Sequence, residues 1–404
     1  MNILITGSFL FPTGMAASAR LRNLAKGFKE AGAKVFVIAS SPPLSENKYP
    51  IKEWIDYEEE IKLIFASNNK NKFNSKRVRK RLIYIESIKH TATLINHIVG
   101  KKKIDAVFLY GRSYLLFNSI LKITEKHKIP TILDIVELPT LGLGFYEYLI
   151  HPFTLDSYLS HKKIATRVNV IASITTALEK LYDHSTSKKY LLPSIENWNE
   201  IVPLEIIKND VYTFSYVGAL LEKDAPDKLF QFVKILQEKE IDFKIKIIGR
   251  YENTSEGRGW KSKFEAESKF EKHLIWIGET TDEELALHLR SSDGLVLLRQ
   301  NRKIEEYSFP TRLVEYLKTS KPVFITKKGD IPIYLNHMET ACFIDPTNLS
   351  NSINDIVEVM RNKNLAKKLG EAGFEVGKEQ FNRTVHADQL LTLVRQLKQQ
   401  EVIV

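Results

Sequence analysis

The sequence contains little cysteine and no long apolar run. A single cysteine, Cys342, occurs among 404 residues, which excludes an internal disulfide framework and a cysteine-based metal site. No stretch approaches the ~20 apolar residues that a membrane-spanning helix needs. The first residues also lack the basic and apolar segments of a secretory signal. We therefore expect a cytoplasmic protein that does not cross a membrane.

Motifs of several enzyme classes are also missing. There is no Gly-x-Ser-x-Gly nucleophile elbow and no P-loop. The segment Gly7–Gly14 follows an apolar strand but is not a Gly-x-Gly-x-x-Gly fingerprint, which disfavours simple dinucleotide binding. Because His151, His161 and His184 show no ligand spacing with one another, we predict no metal site.

The charge is positive and unevenly distributed. The formal net charge is +10, and seven basic residues with no acidic one lie between Lys70 and Arg81. Such a cluster attracts anionic lipid head groups at about 1 kcal/mol per charge, and it also suits nucleic acid or a merely solvated face. Since aromatic interleaving is sparse and no nucleic-acid motif is present, we expect no nucleic-acid partner.

Short apolar strands alternate with helical stretches along the chain, a pattern typical of parallel sheets. A first series follows the order strand, helix, strand, with the helix at Ala16–Ala31. Its predicted strands are Asn2–Thr6, Lys34–Ala39, Ala106–Tyr110, Thr131–Ile135 and Val168–Ala172. A second series has predicted strands at Tyr212–Val217, Phe243–Ile248, Leu274–Ile277, Gly294–Leu298, Lys321–Ile325 and Ala341–Ile344. Its helices are predicted to start at Asp224, Thr281 and Pro310.

The two series predict an α/β protein of two Rossmann-like, doubly wound domains. Ser194–Asp210 has poor periodicity and is interpreted as a linker. The first domain is predicted at 1–200, joined by a C-terminal helix at about 384–404, and the second at 211–383. Ligands of open α/β sheets bind beyond the carboxyl ends of the strands, so we expect the site in a cleft between the two domains.

The segment from Tyr307 to Leu317 is the most specific in the chain. Pro310 is suited to a first helical turn, and a helix that starts at the end of a strand presents free N–H groups to an anion. Glu315 is placed to accept hydrogen bonds from two vicinal sugar hydroxyls. A helix-surface acid is the alternative interpretation of Glu315.

The run Ser308–Leu317, followed by Lys321–Val323, resembles the donor-binding signature of GT-B fold glycosyltransferases, family 4 in particular. Glu315 matches the glutamate that holds the ribose of the nucleotide. Tyr216–Lys223 resembles the strand–Gly–loop–Lys element of that family, in which Lys223 would bind the donor diphosphate. Ile247–Gly249 resembles the strand that precedes the base pocket.

The resemblance thus implies a site for a nucleotide diphosphate sugar, UDP- or GDP-linked, with no cofactor and no metal. The residues assigned to it are Gly14, Gly218, Lys223, Gly249, Arg250, Ser308, Pro310, Thr311, Arg312 and Glu315. It further implies retention of anomeric configuration and an acceptor that is a glycan or a lipid-linked precursor of surface polysaccharide.

The sequence departs from the family pattern at two places. Ala219 stands where the family has an arginine beside the diphosphate, so Arg312 or Arg250 is the candidate replacement. Tyr307 stands where the first of two paired glutamates is usual, so Glu306, directly upstream, is the candidate acid.

Two residues of the first domain, Glu137 and Arg20, are further candidates. Glu137 follows the strand Thr131–Ile135 and is a candidate base for the acceptor hydroxyl, whereas Asp134 is expected to be structural. Arg20 is either a surface charge or a contact to an acceptor phosphate.

The favoured function is that of a glycosyltransferase in polysaccharide or glycolipid synthesis, peripheral on the inner face of the cell membrane through Lys70–Arg81. A nucleotide-sugar epimerase of the same architecture is one alternative. A non-catalytic basic protein that binds membranes or nucleic acid is the other.

Overall fold

The structure is a computed structural model. It describes these stretches of the chain: 1–12, 16–39, 54–66, 76–139, 152–198 and 209–403. Only the backbone is described at 76–84, 86–87, 152–153 and 401–403. The chain divides into two compact units, Met1–Asn197 with Asn382–Val404, and Trp198–Phe381.

The first unit is built on an eight-stranded sheet. Its strands are β1 (Asn2–Gly7), β2 (Lys34–Ala39), β3 (Ile55–Glu58), β4 (Ile61–Phe65), β5 (Ala106–Tyr110), β6 (Thr131–Ile135), β7 (Val170–Ser173) and β8 (Lys188–Leu191). They lie in the order β3-β4-β2-β1-β5-β6-β7-β8. All neighbours run parallel except β3 and β4, which are antiparallel.

Helices follow most of these strands. They are α1 (Ala16–Glu30), α2 (Lys76–Lys101), α3 (Tyr114–Lys126), α4 (Pro152–Leu159) and α5 (Thr176–Lys180). The central strands are apolar on both faces because the helices of doubly wound folds cover both sides of the sheet. In α1, Leu21, Leu24 and Phe28 recur at helical spacing and are buried in the core beside Ile3 and Ile5 of β1.

The C-terminal helix α13 (Arg383–Ile403) belongs to the first unit. It packs along α1, where Gly27 allows a close approach: a Cβ at that position would lie 2.5 Å from the carbonyl oxygen of Arg383. Arg383 also pairs with Glu30 of α1. Apolar side chains of α13, including Leu390 and Val394, complete the core of this unit.

The second unit contains a six-stranded parallel sheet. Its strands are β9 (Tyr212–Val217), β10 (Phe243–Ile248), β11 (Leu274–Gly278), β12 (Gly294–Leu297), β13 (Val323–Thr326) and β14 (Cys342–Ile344). Its helices are α6 (Pro226–Glu238), α7 (Ser255–Glu265), α8 (Asp282–Arg290), α9 (Arg312–Leu317), α10 (Ile331–Tyr334), α11 (Ile353–Arg361) and α12 (Lys363–Gln380). The predicted α/β class with parallel sheets is confirmed.

The strand order β11-β10-β9-β12-β13-β14 reverses its direction of growth at β9. The chain moves outward from β9 to β11 and then returns to place β12 on the other side of β9. In doubly wound sheets this topological switch point is where ligands bind, outside the carboxyl ends of the two central strands. The segments after Val217 and Leu297 therefore frame the candidate site.

Several predicted boundaries were wrong by one or two residues. The strand predicted from Val168 begins at Val170, and the strand predicted from Lys321 begins at Val323. The helix predicted from Asp224 begins at Pro226, because Glu222–Asp224 form a separate 3-10 turn. The helix predicted from Pro310 begins at Arg312.

Candidate functional site

Gly218 and Gly249 end two neighbouring strands of the second sheet at close range. A Cβ on Gly249 would lie 2.4 Å from the carbonyl oxygen of Gly218, and Gly249 has a φ of +138°. Both facts require glycine at position 249. The backbones that follow β9 and β10 are thus packed directly against each other.

The loop after β9 has a constrained backbone. Leu220 and Ala225 have φ values of +53° and +52°, a region that costs non-glycine residues of order 1 kcal/mol or more. The Asp224 carboxylate holds this loop by accepting the backbone N–H of Ala219 at 2.9 Å. Lys223 lies on the turn between the two constrained residues.

Lys223 is exposed, and its ammonium has no hydrogen bond or ion pair with any residue that the structure describes. The two candidate replacements for the arginine missing at Ala219 are both paired. Arg312 pairs with Glu315 at 2.5 Å, and Arg250 pairs with Glu279 at 2.9 Å. Of the three cations, Lys223 is therefore the one with its charge uncompensated in this part of the chain.

Helix α9 carries Glu315 to the same strand end. The next residue, Tyr316, is buried; its hydroxyl accepts a hydrogen bond from the Val217 N–H at 3.0 Å and donates one to the Val296 carbonyl at 3.5 Å. Burial raises the pKa of Tyr316, so its hydroxyl stays protonated. Tyr316 thus fastens α9 to β9 and β12, the two strands of the switch point, with Glu315 partly exposed beside them.

The residues before α9 have different roles. The Ser308 hydroxyl contacts the guanidinium of Arg299. Pro310 lies two residues before the helix, and its carbonyl accepts the N–H of Leu313 at 2.9 Å. Thr311 precedes the helix without a side-chain cap. Because α9 has only six residues, its dipole is small, and the anion site predicted at its start receives little support.

The alternative acid Glu306 is engaged in an ion pair. Its carboxylate lies 3.1 Å from the ammonium of Lys328, which follows β13. Glu306 therefore lies at the carboxyl edge of the second sheet, with its charge compensated.

A network that the sequence did not reveal lies in the segment after β12. Glu305 is buried, with a side chain 5% exposed, and its two carboxylate oxygens lie 2.6 Å from Arg299 and 2.8 Å from Arg302. Arg302 also pairs with Glu222, on the turn that carries Lys223. A second link joins the segment after β12 to the start of α6, since the Gln300 amide contacts Asp227. The adjacent acids Glu305 and Glu306 were the one sequence signal for this network.

In the first unit, the interpretation of Arg20 as a surface charge was wrong. The side chain is buried, and its guanidinium binds both carboxylate oxygens of Asp134, at 2.8 and 2.9 Å. Two of its other N–H groups bind the carbonyls of Leu192 and Pro193. Arg20 is therefore a structural cation, and Asp134 is structural as predicted.

Glu137 follows β6 and is exposed. Its carboxylate lies 2.7 Å from Arg112, which follows β5, so the structure places the predicted base at the carboxyl edge of the first sheet within an ion pair. Gly14 lies outside the described residues.

His161 and His184, which showed no ligand spacing in sequence, approach each other with ring centroids 4.9 Å apart. Burial first, and then the neighbouring His184, lower the pKa of His161 to about 4. Within the described stretches no group of three or more His, Cys, Asp or Glu side chains is arranged to hold a metal ion.

Two observations concern membranes. No described helix is both long enough and apolar enough to span a bilayer. The basic segment Lys70–Arg81 lies outside the residues whose side chains are described, although the backbone from Lys76 belongs to α2.

Comparison with known proteins gives the class. Over 98% of its length the chain superposes on 98% of a glycosyltransferase from Rickettsia africae with a TM-score of 0.71 and 14% identity. It superposes equally fully on sucrose-phosphate synthase from Thermosynechococcus elongatus, with a TM-score of 0.69 and 15% identity. It also superposes on Anabaena Alr3699/HepE in complex with UDP and glucose, with a TM-score of 0.66 and 11% identity, over 98% of this chain and 99% of that one. The chain has the GT-B fold of two Rossmann-like units.

Sequence comparison finds similarity within the second unit. Residues 198–376 match the family described as glycosyl transferases group 1. A stretch of 179 residues, 43% of the chain, is 27% identical to the uncharacterized glycosyltransferase MJ1178 of Methanocaldococcus jannaschii and spans 46% of that relative. The second unit thus resembles the glycosyl transferases group 1 family in sequence, and the chain as a whole shares the fold of solved glycosyltransferases.

Proposed function

We propose that the protein transfers a sugar from a nucleotide diphosphate sugar to an acceptor hydroxyl, with retention and without a metal. One observation carries the proposal: the free ammonium of Lys223 belongs to the turn that follows β9, and Glu315 lies on α9, which its neighbour Tyr316 fastens to the end of β9 at the switch point. A cation suits a diphosphate, and a carboxylate suits the two hydroxyls of a ribose.

Sugar transfer requires a group that stabilises the leaving diphosphate and a group that orients the nucleoside. Transfer breaks the bond between the anomeric carbon and the diphosphate oxygen, and a bond from that carbon to the acceptor oxygen forms. The diphosphate leaves with the bonding electrons and gains negative charge, and the acceptor hydroxyl loses its proton. Lys223 is placed to stabilise the departing charge, because a preorganised cation acts most strongly where charge develops. Glu315 would orient the nucleoside and remain unchanged.

The donor nucleotide is proposed to be UDP or GDP. The Anabaena protein in the comparison was solved with UDP and with UDP-glucose, which supports the uridine nucleotide as the first to be tested. Gly218, Gly249 and Arg250, at the ends of β9 and β10, are proposed to line the nucleotide site.

The acceptor is proposed to be a glycan or a lipid-linked precursor of surface polysaccharide. Among the structural neighbours is a lipopolysaccharide outer core galactosyltransferase, WaaB, with a TM-score of 0.62 and 12% identity. The basic segment Lys70–Arg81 suits an anionic membrane surface. Glu137 is proposed as the base that accepts the acceptor proton.

Glu315→Ala is expected to weaken binding of the nucleoside diphosphate by about 10- to 100-fold, because hydrogen bonds to a charged group are worth about 1.5–3 kcal/mol. Because Glu315 is proposed to bind the ribose hydroxyls, a 2′,3′-dideoxy analogue, which lacks them, should bind the variant and the wild type equally. Calorimetric titration measures both. Glu283→Ala, which removes an exposed acid from the first turn of α8, is the control. Wild-type affinity in Glu315→Ala would remove the ribose assignment.

Reversing the charge of Arg77, Arg79 and Arg81 to glutamate is expected to abolish flotation of the protein with anionic liposomes, since each basic residue contributes about 1 kcal/mol. Neutral liposomes serve as the reference. If the wild type does not float with anionic vesicles, the membrane part of the proposal is wrong, and the donor site is unaffected.

Product analysis separates transfer from its rivals. Incubation with a labelled nucleotide sugar and an acceptor extract should release nucleoside diphosphate together with a labelled acceptor product. Release without such a product would indicate hydrolysis, and a changed sugar that stays attached to its nucleotide would indicate an epimerase.

A further inference from the structure

Lys223 has an acid on each side, and each acid is held by another partner. Asp224 accepts the backbone N–H groups of Ala219 at 2.9 Å and Leu221 at 3.4 Å. Glu222 pairs with Arg302. Lys223 itself has no partner among the residues that the structure describes. The turn thus carries two carboxylates, each engaged by a partner other than its one cation.

A second acid, Glu305, fixes the position of Arg302. One of its terminal nitrogens lies 2.8 Å from Glu305, whose side chain is 5% exposed and also binds Arg299. The other terminal nitrogen reaches Glu222, whose side chain is 70% exposed. The buried carboxylate therefore holds the guanidinium at a set position, and the guanidinium in turn holds a surface acid that would otherwise be mobile.

Without Arg302, the Glu222 carboxylate would be free beside Lys223. It would lie within the ~10 Å over which charges act at ordinary ionic strength. It would then pair with the ammonium or repel an incoming anion, and either effect weakens binding of a diphosphate. Ion pairs as exposed as Arg302–Glu222 contribute little to stability, so stability alone does not account for the arrangement.

We propose that Arg302 is a positioning residue that captures Glu222 and so keeps the charge of Lys223 available to the donor diphosphate. The inference rests on the proposed function, because it names how the same site keeps its cation free. Arg302 acts through Glu222 and has no contact with the ligand of its own.

A double-mutant cycle tests this capture. Arg302→Gln is expected to weaken UDP binding about fivefold, of the order of one surface ion pair. Glu222→Gln alone should strengthen it by up to about twofold, because a negative charge near the diphosphate is removed. The double variant should bind UDP at least as well as the wild type. Glu222→Gln should therefore strengthen UDP binding more in the Arg302→Gln background than in the wild type.

UMP is the second probe. It lacks the β-phosphate, so its affinity should change less than twofold across the cycle, an outcome that a general disturbance of the loop would not give. Lys234→Gln serves as the matched control, because it breaks an exposed ion pair with Glu238 on α6. Lys234 lies about 12 Å along α6 from the start of that helix. GDP and GMP replace the uridine nucleotides if the wild type binds those instead.

The outcomes separate the two proposals. A wild type that binds none of these nucleotides contradicts the proposed function. If the wild type binds UDP and Arg302→Gln binds it equally well, the proposal that Arg302 captures Glu222 is wrong. The proposal is also wrong if the double variant binds UDP as weakly as Arg302→Gln does. Equal losses for UDP and UMP would likewise overturn it.

Discussion

Replacing Lys223 by alanine is expected to lower kcat by about 10²- to 10³-fold, the loss found when one preorganised group that stabilises developing charge is removed. The leaving diphosphate then departs into a site whose other candidate cations, Arg250 and Arg312, are already paired with acids. Steady-state release of nucleoside diphosphate from the sugar donor measures the effect.

Lys239→Ala is the matched control for Lys223→Ala. Lys239 is also exposed, but it lies at the opposite end of α6, so its loss should change kcat less than twofold. A kcat for Lys223→Ala within twofold of the wild type would show that the charge of the leaving group is stabilised elsewhere.

Arg20→Met is expected to destabilise the protein by about 3–5 kcal/mol, the usual cost of leaving one member of a buried ion pair uncompensated. Asp134 is fully buried, and Arg20 supplies both of the hydrogen bonds described for its carboxylate as well as two bonds to backbone carbonyls. The midpoint of urea unfolding measures the change.

A matched surface pair provides the control for Arg20→Met. Arg167 binds both oxygens of Glu125 at 2.9 Å, with side chains 30% and 50% exposed, so Arg167→Met should cost less than about 1 kcal/mol. Arg20→Met combined with Asp134→Leu should be more stable than Arg20→Met alone. Equal costs for the two arginine variants would contradict the structural role of Arg20.

The strands that the sequence predicted are those with continuous apolar runs. Buried strands such as Ala106–Tyr110 show this pattern directly. Of the three strands that were missed, two form the edges of the first sheet, and the third, Ile61–Phe65, lies one position in from an edge and has its apolar run interrupted by Lys62. Ile55–Glu58 carries acids at alternate positions, and Lys188–Leu191 begins with two lysines. Because edge strands face solvent, their sequences resemble loops.

The ion pairs of the site were harder to predict than its residue types. Glu222 and Arg302 are 80 residues apart, and Arg20 and Asp134 are 114 apart. Such pairs form only after the sheets have brought distant loops together, so local pattern does not reveal them. The resemblance assigned Lys223 and Glu315, and the packing of Tyr316 shows how the helix that carries Glu315 is fastened to the strand that precedes Lys223.

We propose that Lys223 binds the diphosphate and Glu315 binds the ribose of the same nucleoside diphosphate. A crystal structure with UDP, or with GDP if calorimetry selects it, tests this most directly. We expect the Lys223 ammonium within about 3 Å of a phosphate oxygen and the Glu315 carboxylate at hydrogen-bond distance from both ribose hydroxyls. A nucleotide bound away from the carboxyl end of β9, or with the ribose and diphosphate contacting neither residue, would contradict it.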